Sequence, residues 1–158
     1  LAGELFKTEA KVNIVHVAYK GAAPALQDVI GGHVQMMFAT AASVIGLIKD
    51  GKVRALAVTT PKRTALLPDI PTVDELGIKG FDATTWHGLV APSGTPKDVI
   101  DTLTFAVNSA LKDPATQKAL IELGVDAVGN TPKEFSAYIK AEIPKWTAVV
   151  KNSGAKVE

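Results

Sequence analysis

The sequence predicts an α/β fold with a parallel or mostly parallel sheet. Two observations carry this. Apolar runs of strand length alternate with short helical stretches through the first 60 residues, an order that places helices on the faces of a parallel sheet. The connections between them are small-residue and glycine turns, with Gly21, Gly31, Gly32 and Gly51 at the breaks. The last third then changes to helices whose starts are written in Asp/Thr-Pro pairs.

Taken in order, Leu1, Leu5 and Phe6 have helical spacing but no Ser, Thr, Asp or Asn before them to cap a helix. The chain therefore reads as the C-terminal portion of a longer one, with a signal peptide expected upstream of Leu1. An apolar run, Val12, Ile14, Val15 and Val17, predicts a strand at about 13–18. It breaks at Tyr19-Lys20-Gly21 and restarts as a helix at about 23–30, where Pro24 fits in the first turn. Gly31-Gly32 closes that helix, and Val34 to Phe38 reads as a buried strand. A turn at Ala39–Ser43 leads into a helix through Val44, Ile45, Leu47 and Ile48 that stops at Gly51. Arg54 to Thr60 reads as a further strand.

The middle is punctuated by Pro61, Pro68 and Pro71, after which Thr72 and Glu75 have the form of a capping box opening a short helix to Leu76. Phe81 to Ala91 reads as extended. Thr95-Pro96, Asp113-Pro114 and Thr131-Pro132 each set a capping acceptor before a proline, predicting helices over 97–112, 115–123 and 133–151. A short strand is expected at 125–128, and Pro144 should kink the last helix.

Composition narrows the function. The 158 residues are 47% hydrophobic and 21% charged, in the range of a globular domain with a core. Seventeen basic residues face 16 acidic ones with no basic run, which argues against a nucleic-acid partner. No stretch approaches the ~20 apolar residues of a spanning helix, so no direct membrane insertion is expected. With no cysteine, disulfides, thiolate zinc sites and cysteine nucleophiles are excluded.

The residues of catalysis are not grouped. His16, His33 and His87 share no metal-ligand spacing, so no metal site is expected. His87 is read either as a packed surface residue or as a ligand contact beside Trp86. The serines lack a Gly-x-Ser-x-Gly elbow, and no glycine cluster ends in Gly-Lys-Ser/Thr. Asp74 and Glu75 are accounted for by helix capping; Asp28 and Asp50 read as solvated helix positions. Phe135 and Trp146 read as core or interface. What remains are three turns of small and hydroxyl residues, Ala18–Ala22, Ala39–Ser43 and Thr59–Lys62, at the carboxyl ends of expected strands. Ligands of open α/β sheets sit there. A strand ending in a glycine turn that opens a helix aims free amides and the helix dipole at one spot, which favours a carboxylate or phosphate. This is the chemistry of binding without turnover.

Five stretches, Val15–Leu26, Gly31–Phe38, Lys52–Thr59, Leu67–Gly77 and Trp86–Pro96, together resemble the Bug family: the TctC-like extracytoplasmic solute receptors of tripartite tricarboxylate transporters. The resemblance runs from Leu1 to Val157. It implies a periplasmic-binding-protein-like (type II) architecture of two α/β domains that close over a small organic carboxylate, present here as a C-terminal portion lacking most of the first domain. Residues 1–84 would be most of the second, ligand-binding domain. Residues 85–158 would be a hinge-crossing strand and C-terminal helices returning to the first. The implied partners are the ligand and the membrane permease subunits of the transporter; no cofactor is implied, and the location is periplasmic.

Carried over position by position, Tyr19, Lys20, Gly21 and Ala22 match the family's ligand-facing turn. Ala39 and Thr40 match a second turn, and Trp86 a third contact. Many members have an acid at the position of Ala39; its absence implies a plain mono- or dicarboxylate before an amino acid. Either the Lys20 ammonium or the backbone amides would meet the anion. Two other readings stay open: a ligand-sensing module for a membrane kinase, and an α/β enzyme whose catalytic residues lie upstream of Leu1.

Overall fold

A computed structural model of the chain describes residues 1–154; the last four residues of the expected 85–158 region, and with them the end of the resemblance, lie outside the described residues. Six helices follow in order: α1 (Ala2–Ala10), α2 (Ala22–Ile30), α3 (Ala41–Lys49), α4 (Lys97–Lys112), α5 (Pro114–Glu122) and α6 (Pro132–Ser153). Helix α1 starts without a side-chain cap, as its sequence predicts, and buries Leu5. The exit from α2 is a Schellman closure: the His33 amide donates to the Asp28 carbonyl at 2.8 Å and the Gly32 amide to Val29 at 3.1 Å.

Of the three Asp/Thr-Pro starts, two cap as expected. The Asp113 carboxylate accepts the Thr116 amide at 2.8 Å, and Thr131 with Glu134 completes a reciprocal capping box. The third differs: α4 takes Pro96 as its N-cap residue, with no side-chain bond. The Thr95 hydroxyl instead donates to the Pro92 carbonyl at 2.8 Å, closing the preceding turn. Pro144 lies within the 22 residues of α6.

The expected strands at 13–18, 34–38, 54–60 and 125–128 form no ladder among the described residues, which contain one isolated parallel bridge, Val58 to Thr72. Nor is 34–38 buried, since Met36 is 40% exposed. The physical reason is missing partners. A parallel strand is stable when neighbours take its amides and carbonyls and layers cover both faces, yet Val15 is 86% exposed and Val17 50%. The Thr72–Glu75 box does form, with the Glu75 amide on Thr72 Oγ1 at 3.0 Å, but it opens a run of turns and not a helix. Gly77 and Gly80 follow two and five residues after Glu75, and the Asp74 carboxylate takes the Gly80 amide at 2.8 Å, folding the chain back on itself.

The core gathers Leu5, Val73, Phe81 and Val149, with Phe6, Ile78 and Trp146 packed around it. Two ring contacts extend it: Phe6 meets Phe81 edge-on at 6.1 Å and Phe38 at a tilt at 5.7 Å, ring centre to ring centre. One face of α6, carrying Phe135, Tyr138, Glu142, Lys145 and Val149 at three- and four-residue steps, lies along the segment 81–86. Val149 packs with Phe81, Lys145 faces Asp82, and Phe135 and Tyr138 meet Trp86. The two therefore run antiparallel.

The exposed surface totals 11392 Å², whereas a compact monomer of this mass shows about 7,600 Å². Apolar side chains such as Val15, Leu89, Val90, Phe105 and Val128 contribute to it, each more than two-thirds exposed.

Candidate functional site: two uncapped helix starts

The turn before α2 is built around Gly21, whose φ of 112° is open to glycine and strained for any other residue. No atom lies within 4 Å of where a Cβ would project, so the turn faces open space. Gly21 is the N-cap of α2 and has no side chain to satisfy the first amides. Among the described residues the N–H groups of Gly21, Ala22 and Ala23 have no acceptor; Pro24 has no N–H to leave open. Lys20 is exposed beside them.

Tyr19 is tied down. Its hydroxyl donates to Asp28 Oδ2 at 2.6 Å. That hydrogen bond, then partial burial and the negative charge of Asp28, raise the phenol above its ordinary range, so it stays a donor. Asp28 is thus not the solvated helix residue expected from the sequence: it is half-buried and engaged. Sequence reading missed it because the contact spans nine residues across a turn, a spacing no helical or strand period flags.

The second turn leads from Phe38, held against Phe6, to the start of α3. Thr40 is the N-cap but gives α3 no side-chain bond. Its hydroxyl donates to Ser43 Oγ at 3.2 Å while that hydroxyl donates to the Thr40 carbonyl at 2.7 Å. The Ala41 and Ala42 amides have no acceptor among the described residues, and Ala39 beside them is exposed. Both starts share the lack of a side-chain cap with α1 and α4 and differ from α5 and α6, whose first amides are met by Asp113 and Thr131.

Trp86 belongs to another group. Its ring meets Phe135 at 5.4 Å and Tyr138 at 5.7 Å, both edge-on, with 41% of the residue exposed. No hydrogen bond or ring contact among the described residues joins it to either turn. Two further residues of this region were missed: Glu142, 8% exposed, accepts from Lys145 at 2.5 Å and from the Trp146 indole at 2.7 Å. Lys145 also lies 3.9 Å from Asp82. Burial, with the charges of Glu142 and Asp82, pushes the Tyr138 phenol up.

Two open clefts lie elsewhere. One, of about 540 Å³, runs from Ile48 and Lys52 to Ile70; the other, of about 500 Å³, lies between Phe105, Asn108 and Glu134. Neither includes a residue of the turns. Among the described residues no three His, Cys, Asp or Glu side chains gather to hold a metal, and no helix is long and apolar enough to cross a membrane.

The structural likenesses of this fold include a periplasmic binding protein, BugD, which superposes with a TM-score of 0.72 at 38% identity over 99% of this chain and 53% of the other. The chain belongs to the tripartite tricarboxylate transporter receptor family, whose pattern matches residues 1–155. It is 36% identical over 151 residues to the UPF0065 protein of the tcbD-tcbE intergenic region of Pseudomonas sp. strain P51, covering 95% of this chain and 45% of that one. An R. palustris protein solved with adipate superposes with a TM-score of 0.78 at 35% identity, over 97% of this chain and 51% of the other. The Rhodopseudomonas palustris protein MatC, solved with malate, gives 0.68 at 31% identity, over 94% and 52%. The chain thus spans about half the length of each of these relatives. The likeness shows the fold class to be that of the periplasmic binding proteins. The family is one of receptors, and a structural neighbour is a periplasmic binding protein.

Proposed function

We propose that the chain is part of a periplasmic receptor that captures a small organic mono- or dicarboxylate and hands it, unchanged, to the permease subunits of a tripartite tricarboxylate transporter. The observation that carries this reading is the pair of unsatisfied helix starts at Gly21 and Thr40. Oriented amides at the positive end of a helix suit a carboxylate. In this reading Tyr19, Lys20, Gly21 and Ala22 form one side of the site, Ala39 and Thr40 the other, and Trp86 closes it from the crossing segment. The lack of an acid at Ala39 leaves nothing to pair with a ligand ammonium, which favours a plain acid. The adipate and malate of the two neighbours support the same class.

Residues 1–84 then form most of one ligand-binding domain, and 85–158 cross to the other. The uncovered apolar surface supports this division, since a second domain is what would bury it. A leader peptide for export belongs to the same proposal.

A thermal-shift screen of the complete gene product against mono-, di- and tricarboxylates, aromatic acids and amino acids tests it. Ligand at 100 times Kd adds about 2.7 kcal/mol, a rise of roughly 2–4 °C in Tm. A selective rise with one carboxylate class is expected. A flat response to every acid would remove the reading.

A further inference from the structure

Asp28 occupies a special place in α2. Its backbone carbonyl receives the chain that leaves the helix, at His33 (2.8 Å) and Val34 (3.3 Å). Its carboxylate reaches back and takes the hydroxyl of Tyr19, two residues before the Gly21 turn. One residue thereby holds both ends of a nine-residue helix whose own N-cap provides no side-chain bond.

We infer that Asp28 is a positioning residue of the receptor site proposed above: through the Tyr19 hydroxyl it holds the Tyr19-Lys20-Gly21 turn so that the free amides of α2 face one spot. The inference rests on that reading for its functional meaning, but the geometry stands apart from it. A short helix with a glycine N-cap frays readily, because glycine leaves the first amides unsatisfied and is the most mobile residue before folding. On the side where a Cβ would project, no atom within 4 Å braces Gly21. The Tyr19–Asp28 bond is the one side-chain link from this turn to the helix among the described residues. It also commits the phenol, whose proton is held by Asp28. Recognition at this turn then falls to backbone amides and Lys20. Pre-ordering of this kind improves binding by reducing what the ligand must order.

The test uses the complete gene product with Tyr19→Phe, Asp28→Ala and Asp28→Asn. Hydrogen exchange without ligand, followed on peptides covering 19–30, reads the hydrogen-bonded amides of α2 that follow Pro24. Loss of the bond in Tyr19→Phe or Asp28→Ala is expected to speed exchange there about five-fold, with peptides from α6 unchanged. Asp28→Asn keeps an acceptor oxygen and should restore most of the protection. Adipate and malate serve as binding probes. Whichever binds the wild type should bind both loss variants several-fold more weakly, and the double variant no more weakly than either single one. Unchanged exchange in Tyr19→Phe and Asp28→Ala overturns the inference, as does unchanged affinity in both. If neither probe binds the wild type, the carboxylate reading loses that support, while exchange still decides the role of Asp28.

Discussion

The guanidinium of Arg63 clasps the carboxylate of Glu75, with Nε 3.1 and 2.9 Å from its two oxygens and Nη2 2.8 Å from Oε2. Arg63 Nη1 also donates to the Pro68 carbonyl at 3.2 Å. The proline-punctuated loop is thereby fastened to the turn that follows the Val58–Thr72 bridge. Thr72, in that bridge, is 1% exposed.

This clasp makes acid sensitivity a first prediction. Arg63, and after it the Thr72 amide, hold the Glu75 carboxyl below its ordinary value of 4.5. A depressed carboxylate contributes stability that is complete above the unfolded value and lost as pH falls through the folded one. Asp74, Asp113 and Glu134 are lowered too, by Lys79, Thr116 and Thr131 respectively. Tm should therefore stay level from neutrality down to about pH 5 and fall below it. In Glu75→Gln the fall should be shallower and the neutral Tm lower. Both partners of the clasp are over 40% exposed, so half-molar salt should reduce the difference.

Helix caps give a second. Thr131→Ala removes the hydroxyl that accepts the Glu134 amide, one half of a capping box, while the residue 131 amide can still donate to Glu134; it should lower Tm by roughly 2–4 °C. Asp113→Ala should act in the same direction. Thr95→Ala, at a Thr-Pro pair that looks identical in the sequence, removes only a turn bond to Pro92 and should change Tm by less than either. Calorimetric scans of the three variants separate a true cap from its sequence likeness.

That contrast marks how far the sequence could be read. Helices were legible because their signals are local: Asp113, Thr131 and the glycines after α2, α3 and α5 act within a turn of where they stand. The strands were not, since an apolar run such as Val12 to Val17 states a need for neighbours without supplying them. Of the site, the Gly21 and Thr40 turns could be named from small residues after apolar runs. Asp28, Glu142 and Lys145 could not, because a carboxylate on a helix looks the same whether it faces water or a partner. The family resemblance filled in what local signals could not.

Glu142 supplies the third prediction. It is buried and its charge is met by Lys145, with the Trp146 indole on its other oxygen. Removing one partner of such a pair leaves the other without compensation, whereas removing both is far milder. Lys145→Met should cost roughly 1–3 kcal/mol in urea unfolding, discounted by the lysine's remaining exposure. Lys145→Met with Glu142→Leu should recover much of that loss. Equal losses in single and double variants would show that the ammonium contributes packing alone. The same variants should loosen the segment 81–86 from α6, read as a change in the emission of Trp86 and Trp146.

Two glycines near α3 should respond in opposite senses. Gly46 lies inside the helix, and a Cβ there would meet nothing within 4 Å. Gly46→Ala therefore gains helix propensity without a clash and should stabilise by about 0.5–1 kcal/mol. Gly124, after α5, has a φ of 75°, and a Cβ there would come within 2.9 Å of the Ala42 amide nitrogen and 3.2 Å of its Cα. These are backbone atoms and cannot swing aside. Gly124→Ala must therefore strain its own turn or push away the start of α3, and it should lower Tm. Because Ala42 carries one of the open amides of the second turn, the variant should also weaken binding of whichever carboxylate the wild type takes, whereas Gly46→Ala should leave that affinity unchanged. Titration calorimetry on both variants checks the pair. Equal affinities would show that the Ala42 amide lies outside the ligand's reach, and the second turn would then lose its place in the site.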